Sequence, residues 1–389
     1  MKELDEITRT RIRVLAVILG VIVLIHIVVI LCVVLPHRKA APGPAPAVPE
    51  EKAPAPGADN IASAVPGGGK TAPAFGAATK YRKALGTAWF GKPFDYRTAV
   101  RGNLPKMPGG SAAGTGILVD LNSRCVLWCK EEKKPVPIAS MAKMMTLFVA
   151  FENLARHPEW SLDMPVSISR ATTRAAREGI IWLDVRETLP LRSLMQAAAI
   201  KSANDAAYQI AETTSGGNVD AFVAQMNASA AALRMPGTHF VNPHGLPNPD
   251  GRHSTSSAEG MVRLGERLLE YPDIMEWVGT QQLFIDRPMV KGGKTDLKNT
   301  NHLVVPRYPG VDGMKTGYTR AAKFCLTFTA LRDGRRLMGC VTGFPTSRDR
   351  DVFARRILDW GYLRAAEIAA GKTAPPKAGS VTAPARRKR

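Results

Sequence analysis

Residues 314–343 read MKTGYTRAAKFCLTFTALRDGRRLMGCVTG. Three apolar runs stand out, 314–318, 324–331 and 337–343, and the last two meet at Asp333-Gly334, a strong hairpin signal. Toward the N-terminus, residues 114–130 (GTGILVDLNSRCVLWCK) alternate apolar and polar around Asn122-Ser123 and predict another hairpin. The chain between them is helical in pattern. Residues 140–154 (SMAKMMTLFVAFENL) contain neither Gly nor Pro and predict a buried helix. Residues 191–200 and 204–213 predict two helices joined at Lys201-Ser202-Ala203, and 219–235 a further helix stopped by Pro236-Gly237. A last helix is expected over 349–370. Strands at both ends with helices between them predict an α+β fold, an antiparallel sheet flanked by helices plus an all-helical subdomain. No internal repeat is visible.

The rest of the 389 residues frames this body. Apolar residues make up 45% of the chain, too many for a disordered protein, and 29 Pro with 34 Gly show no collagen period. Residues 14–35 (VLAVILGVIVLIHIVVILCVVL) carry no formal charge. At 1.5 Å per residue such a run spans about 33 Å, the hydrocarbon thickness of a bilayer. A cleaved signal peptide is the competing reading, with Ala45 and Ala47 offering a cleavage pattern, but its apolar region would be shorter. The run is read as one transmembrane helix, an uncleaved anchor. Lys2, Arg9, Arg11 and Arg13 before the span put residues 1–13 inside the cytoplasm and the body outside, at the cytoplasmic membrane. Residues 36–80, with nine Pro among Ala and Gly, read as an extended linker. Residues 372–389 hold six Lys or Arg and no acid, and read as a disordered basic tail. What remains, 81–371, is the expected folded domain and is long enough for a sizeable core.

The 53 Lys and Arg exceed the 33 Asp and Glu by 20. Nucleic-acid binding is not expected from this excess, because the tail lacks aromatic residues for base stacking and the anchor points the body out of the cytoplasm. Acidic wall polymers or anionic headgroups suit the charge equally well. Five Cys are too few for a disulfide scaffold. Cys125 and Cys129 are too far apart along a strand to bridge, and Cys325 could pair with Cys340 only in a favourable register. No zinc spacing appears, so no metal and no cofactor are expected.

Three short motifs bear chemistry. Ser140-Met141-Ala142-Lys143 puts a hydroxyl and an amine three residues apart on one helix face, where the Lys143 amine can reach Ser140. A lysine works as a base only when burial or a second cation lowers its pKa. Ser202-Ala203-Asn204 offers a hydroxyl for proton relay and an amide to hold a carbonyl, although Ser and Asn also cap helices. Lys315-Thr316-Gly317 sets a cation, a hydroxyl and a closely approachable backbone on a strand, suited to an anionic substrate end.

With PIASMAKMMT at 137–146, SANDA at 202–206, FVAQMN at 222–227, THFVNPHGL at 238–246, HST at 253–255 and DGMKTGYT at 312–319, the chain resembles the low-molecular-mass penicillin-binding proteins. These are the serine D-Ala-D-Ala carboxypeptidases of the peptidase S11 type, and the resemblance covers about 111–365. It implies a β-lactamase/DD-peptidase-like fold, with Ser140 as acylated nucleophile, Lys143 as its base, and Ser202 and Asn204 in proton transfer and substrate holding. Lys315 and Thr316, next to Gly317 and together with Arg348, would bind the terminal carboxylate. The backbone N–H groups of Ser140 and Tyr318 would form an oxyanion hole. Two positions depart from the family pattern: Ala203 and Lys323 both stand where glycine is usual. The β-rich C-terminal domain and terminal anchor of many relatives are not expected here, the N-terminal span replacing that anchor. The implied activity is removal of the terminal D-Ala from peptidoglycan stem pentapeptides, with β-lactams as inhibitors. The alternatives are a DD-endopeptidase cutting cross-links, a β-lactamase with fast deacylation, and a slow or non-catalytic wall-binding protein.

Overall fold

The computed structural model describes residues 80–384, apart from 84, 86–90, 177 and 306. The expected span at 14–35 and all but the last residue of the linker lie outside the described residues, and among these no helix is long and apolar enough to cross a membrane.

In chain order, β1 (Val100–Arg101), β2 (Gly116–Asp120), β3 (Val126–Lys130) and β4 (Val136–Pro137) lead to a 3-10 turn, Ala139–Ala142, and helix α1 (Lys143–Arg156). Then come β5 (Pro165–Ser167), α2 (Thr172–Ala175), β6 (Thr188–Pro190) and α3 (Leu191–Gln196), which runs on as a π turn, Ala197–Lys201. Helices α4 (Asn204–Thr214) and α5 (Val219–Ala232) follow, then β7 (Thr255–Ser256), α6 (Ala258–Leu268) and α7 (Pro272–Gly279). The chain continues through β8 (Gln282–Asp286), β9 (Lys294–Lys298), β10 (Val311–Thr319), β11 (Lys323–Arg332), β12 (Arg335–Phe344) and α8 (Ser347–Ala369).

Six strands form one sheet in the order β1-β3-β2-β12-β11-β10. The two expected hairpins and the expected strand at 314–318 together supply its five main strands, all antiparallel, and the strand order joins the two ends of the body through the β12–β2 pair. The sixth, β1, is a two-residue parallel edge on β3 that the sequence pattern did not reveal. Both faces of the sheet are covered. On one, Leu118, Trp128, Phe328 and Val341 pack under Phe353, Ile357 and Trp360 of α8. On the other, Ile117, Val119, Met338 and Cys340 meet the helical body around Met144 and Phe148 of α1 and Met261 of α6. A sheet buried on both faces reads as continuous apolar runs, which is why β11 and β12 look so uniformly hydrophobic.

Helix α1 is hydrophobic around nearly its whole circumference and forms the axis of the core. Asn218, Ser257 and Thr346 cap α5, α6 and α8 by accepting backbone N–H bonds from Ala221, Gly260 and Asp349. The helix expected over 219–235 ends at Ala232, because Arg234 turns left-handed at φ 52°. Cys325 and Cys340 are both reduced: the register puts Cys340 opposite Thr327, not Cys325. Residues 372–384, expected to be disordered, instead fold back along α8. Arg364 donates to the carbonyls of Lys372 and Ala374, Arg356 to that of Pro384, and Val381 is buried in the core under the helix. Apolar contact and guanidinium donors outweigh the local composition there.

Arg287, in the β8–β9 connection, pairs with Glu187, both almost fully buried. The same guanidinium donates to the carbonyls of Ile181 (2.5 Å) and Trp182 (2.9 Å), fastening the 178–187 loop to the hairpin. That loop in turn touches Asn204 and Asp205. Removing one partner of such a pair strands a buried charge. Glu187→Ala should therefore cost about 3–5 kcal/mol, read as a lower urea midpoint, whereas a change below about 1 kcal/mol would show that the pair does not hold the loop.

Candidate active site

The turn that carries Ser140 is clamped from two sides. A Cβ on Gly317 of β10 would lie 2.5 Å from the Ile138 carbonyl oxygen, and one on Gly245 would lie 2.0 Å from that of Ala139. Both positions require glycine, and Gly245 is also left-handed at φ 86°. Ala139 itself is held at φ 49°, an uncommon conformation for a residue with a side chain, just before the serine.

Lys143 opens α1, and its side chain is fully buried. Its Nζ lies 3.0 Å from Ser140 Oγ, 2.5 Å from Asn204 Oδ1 and 2.7 Å from the His244 carbonyl oxygen. Asn204 Nδ2 donates to the Glu178 carbonyl at 2.7 Å, so its Oδ1 must face the lysine. A carbonyl and an amide oxygen can only accept. In the neutral amine they use both N–H donors, and the lone pair is left pointing at the Ser140 hydroxyl. Burial, reinforced by the charge of Lys315, holds the Lys143 pKa well below 10.5, while Asp205 pulls weakly the other way. Burial and the neighbouring cation ease loss of the Lys143 proton, and the geometry then aims the freed lone pair at the serine.

Asp205 accepts the backbone N–H groups of Ile181 and Leu183, and Asn204 N–H donates to the Gly179 carbonyl. The 178–183 loop is thereby tied to the helix start. The capping alternative for this motif does not occur: no side chain caps α4, and the Asn204 amide faces Lys143 instead. Ser202 sits at the end of the π turn in the left-handed conformation, φ 66°, and lines the cleft with Ser140. The 242–246 loop is ordered by Asn242, whose Oδ1 takes the N–H groups of His244 (3.2 Å) and Gly245 (2.7 Å). His244 is buried beside Lys143, and its imidazole is pushed down to about 3.

The cleft holds about 320 Å³ between Ser140, Ser202, Thr300, Thr316 and Arg350. Lys315 is fully buried beneath it, its Nζ 3.3 Å from the Thr316 carbonyl, and burial together with the Arg350 charge pushes its pKa down to about 7. Thr316 and Thr300 share a 2.6 Å hydroxyl–hydroxyl bond. Tyr318 is exposed and stacks on Phe324 at 4.3 Å.

One expected site residue is corrected. Arg348 is exposed on the first turn of α8, and the guanidinium at the cleft belongs to Arg350. Ser347 and Arg350, three apart on the helix, share the face toward the cleft, and Arg348 is turned about 100° away from Ser347. Sequence reasoning also passed over Thr300, the His244 carbonyl and the 178–179 backbone. The 238–246 run was visible as a motif, but nothing local says that one of its carbonyls binds a lysine 101 residues away. Lys323, where a glycine was expected, is left-handed at φ 55° and still pairs with Thr319, so the sheet edge is intact.

A serine addressed by a buried lysine whose pKa is held well down, with further cations at the far end of one cleft, defines a serine acyl-transfer site. The chain belongs to the D-alanyl-D-alanine carboxypeptidase family, peptidase S11, whose profile matches residues 103–346. It is 33% identical over 250 residues to the D-alanyl-D-alanine carboxypeptidase DacF of Bacillus subtilis, covering 64% of this chain and 62% of that one. The chain thus spans just under two thirds of that relative's length. Among solved structures, a D-alanyl-D-alanine carboxypeptidase from Mycobacterium tuberculosis superposes with a TM-score of 0.60 at 29% identity, covering 69% of this chain and 96% of that one. Penicillin-binding protein D2 of Listeria monocytogenes, in its ampicillin-bound form, gives 0.56 at 26% identity over 64% of this chain and 97% of that one. These likenesses bear out the expected DD-peptidase fold.

The charge balance at Lys143 can be read directly. In an NMR titration of the labelled amine, Lys143 should lose its proton far below 10.5. Lys315→Met, which removes the repelling cation, should move that titration upward, and Asp205→Asn should move it downward. Shifts of opposite sign would contradict the arrangement.

Proposed function

We propose that this protein is a membrane-anchored serine D-Ala-D-Ala carboxypeptidase, removing the terminal D-Ala from peptidoglycan stem pentapeptides through an acyl-enzyme. The observation that carries the reading is the bonding of Lys143, whose two acceptor partners leave its lone pair for Ser140. Lys143 takes the hydroxyl proton as Ser140 Oγ attacks the penultimate D-Ala carbonyl. Backbone N–H groups of Ser140 and Tyr318 would stabilise the oxyanion. The proton passes to the leaving D-alanine nitrogen, with Ser202 in the relay, and the C–N bond breaks. Water, deprotonated by Lys143, then hydrolyses the ester and frees the serine. Thr316, Thr300, Lys315 and Arg350 would receive the terminal carboxylate, with Arg350 in the role expected of Arg348. A β-lactam would acylate the same serine, as the ampicillin-bound likeness suggests.

The apolar run at 14–35 supports an anchor, with 1–13 inside the cell, 36–80 as a spacer and 81–371 outside the cytoplasmic membrane. On this reading the full chain stays in the membrane fraction after an alkaline wash, and protease added outside intact spheroplasts digests the body. Digestion only after lysis would reverse the orientation.

The activity is tested by incubating the full chain in detergent with a muramyl pentapeptide ending in D-Ala-D-Ala and following product mass. Loss of one alanine is expected, with Lys143→Met slower by about 10²–10⁴-fold and Ser140→Ala inactive and unlabelled by penicillin. A penicillin-labelled enzyme that leaves pentapeptide intact but cuts a cross-linked dimer would be an endopeptidase. Release by Ser140→Ala would move the nucleophile elsewhere.

A further inference from the structure

His302, which no motif singled out, follows β9 and lines the cleft alongside Thr300, Thr316 and Arg350. Its Nδ1 lies 2.9 Å from Asp351 Oδ2, and its side chain is 58% exposed. Asp351 stands behind both cations. Its other oxygen, Oδ1, accepts from Arg350 Nε at 2.8 Å and Nη2 at 2.7 Å, while Arg350 Nη1 reaches the Cys325 carbonyl at 3.3 Å. Nearby, Arg355 of α8 donates to the His302 carbonyl at 2.8 Å, and Lys315 of β10 has its Nζ 3.5 Å from the neighbouring Thr300 hydroxyl.

Two consequences follow from this chain of groups. First, Arg350 and Asp351 together carry no net charge, so the guanidinium at the cleft is largely balanced by its own neighbour. Second, a carboxylate only accepts hydrogen bonds, so the Asp351 contact keeps the His302 proton on Nδ1. Nε2, which makes no hydrogen bond among the described residues, then presents a lone pair in the neutral ring. That lone pair would repel an incoming carboxylate. Only the imidazolium donates from both nitrogens, from Nδ1 to Asp351 and from Nε2 toward the cleft.

Resting on the carboxypeptidase reading above, we propose that His302 is a substrate-binding residue that completes the carboxylate end of the cleft as an imidazolium. Binding of the terminal D-Ala carboxylate is thereby coupled to a proton on His302. Asp351 is its positioning partner, fixing the tautomer and joining it to Arg350. The device discriminates for a free C-terminus and against an amidated or extended one, and it favours substrate where imidazole is charged.

The test compares the full-length wild type with His302→Gln and His302→Lys, on peptides ending in D-Ala-D-Ala with a free carboxylate or a carboxamide. Penicillin titration gives the number of folded active sites in each variant. At about pH 6, where imidazole is mostly charged, kcat/KM of the wild type on the carboxylate peptide should exceed that of His302→Gln about tenfold, carried by KM with kcat kept. At about pH 8.5 the gap should close. Lys315 is present in both proteins, so the measurement reads the gap between them and not either pH profile alone. The carboxamide peptide should show no gap at either pH, and His302→Lys should keep its low KM at the higher one. Equal KM values for wild type and His302→Gln on the carboxylate peptide at about pH 6 would overturn the proposal. So would a gap that persists at high pH or with the carboxamide, which marks a merely structural role. A penicillin-labelled wild type that releases no D-alanine would sink the underlying reading, and the inference with it.

Discussion

The site depends on one buried amine. Lys143 sits where water cannot solvate an ammonium, against a second cation, and the two acceptors it touches are fixed from elsewhere in the fold. A neutral lysine in that position has nowhere to aim its lone pair except Ser140. Asn204 keeps its orientation through Glu178, the His244 carbonyl through the Asn242 turn, and the serine through the glycine contacts at 245 and 317. Together these contacts fix the base–nucleophile geometry on which proton transfer depends.

The architecture explains how such precision is supported. Serine and lysine lie where the 3-10 turn gives way to α1, the axis of the core, whose neighbours are the sheet on one side and α4 and α5 on the other. The sheet is braced from behind by α8, and the same helix delivers Arg350 to the far end of the cleft. Cleft walls therefore come from elements that are each packed on a second layer. The 178–187 loop and the β8–β9 hairpin are tied together by a buried ion pair.

Electrostatically the cleft is a row of basic groups in low dielectric, Lys143, Lys315 and Arg350, with Asp205 and Asp351 set behind them. Crowded and desolvated cations lose protons more readily, and this turns one lysine into a base and leaves the other near neutrality. Carboxylates set one layer back offset the cost of burial without occupying the surface a substrate anion would meet. The net charge of +20 is a poor guide to this balance, because the groups that matter are buried and paired.

What the sequence determined by itself was whatever depends on neighbours along the chain. The two hairpins, the main helices and the pairing of Ser140 with Lys143 three residues later follow from local periodicity and turn chemistry. The α+β division follows from their order. Tertiary structure alone decided the rest. The partners of Lys143 come from 61 and 101 residues away, and no local pattern encodes a backbone carbonyl as a ligand. Arg348 and Arg350 are equivalent in composition, and only the rotation of α8 against the sheet turns one to the cleft and the other to solvent. The segment after Gly371 reads as unstructured until Arg364 and the apolar groove under α8 give it partners. Desolvation and long-range charge set proton affinities, and both are properties of the packed molecule rather than of any stretch of its chain.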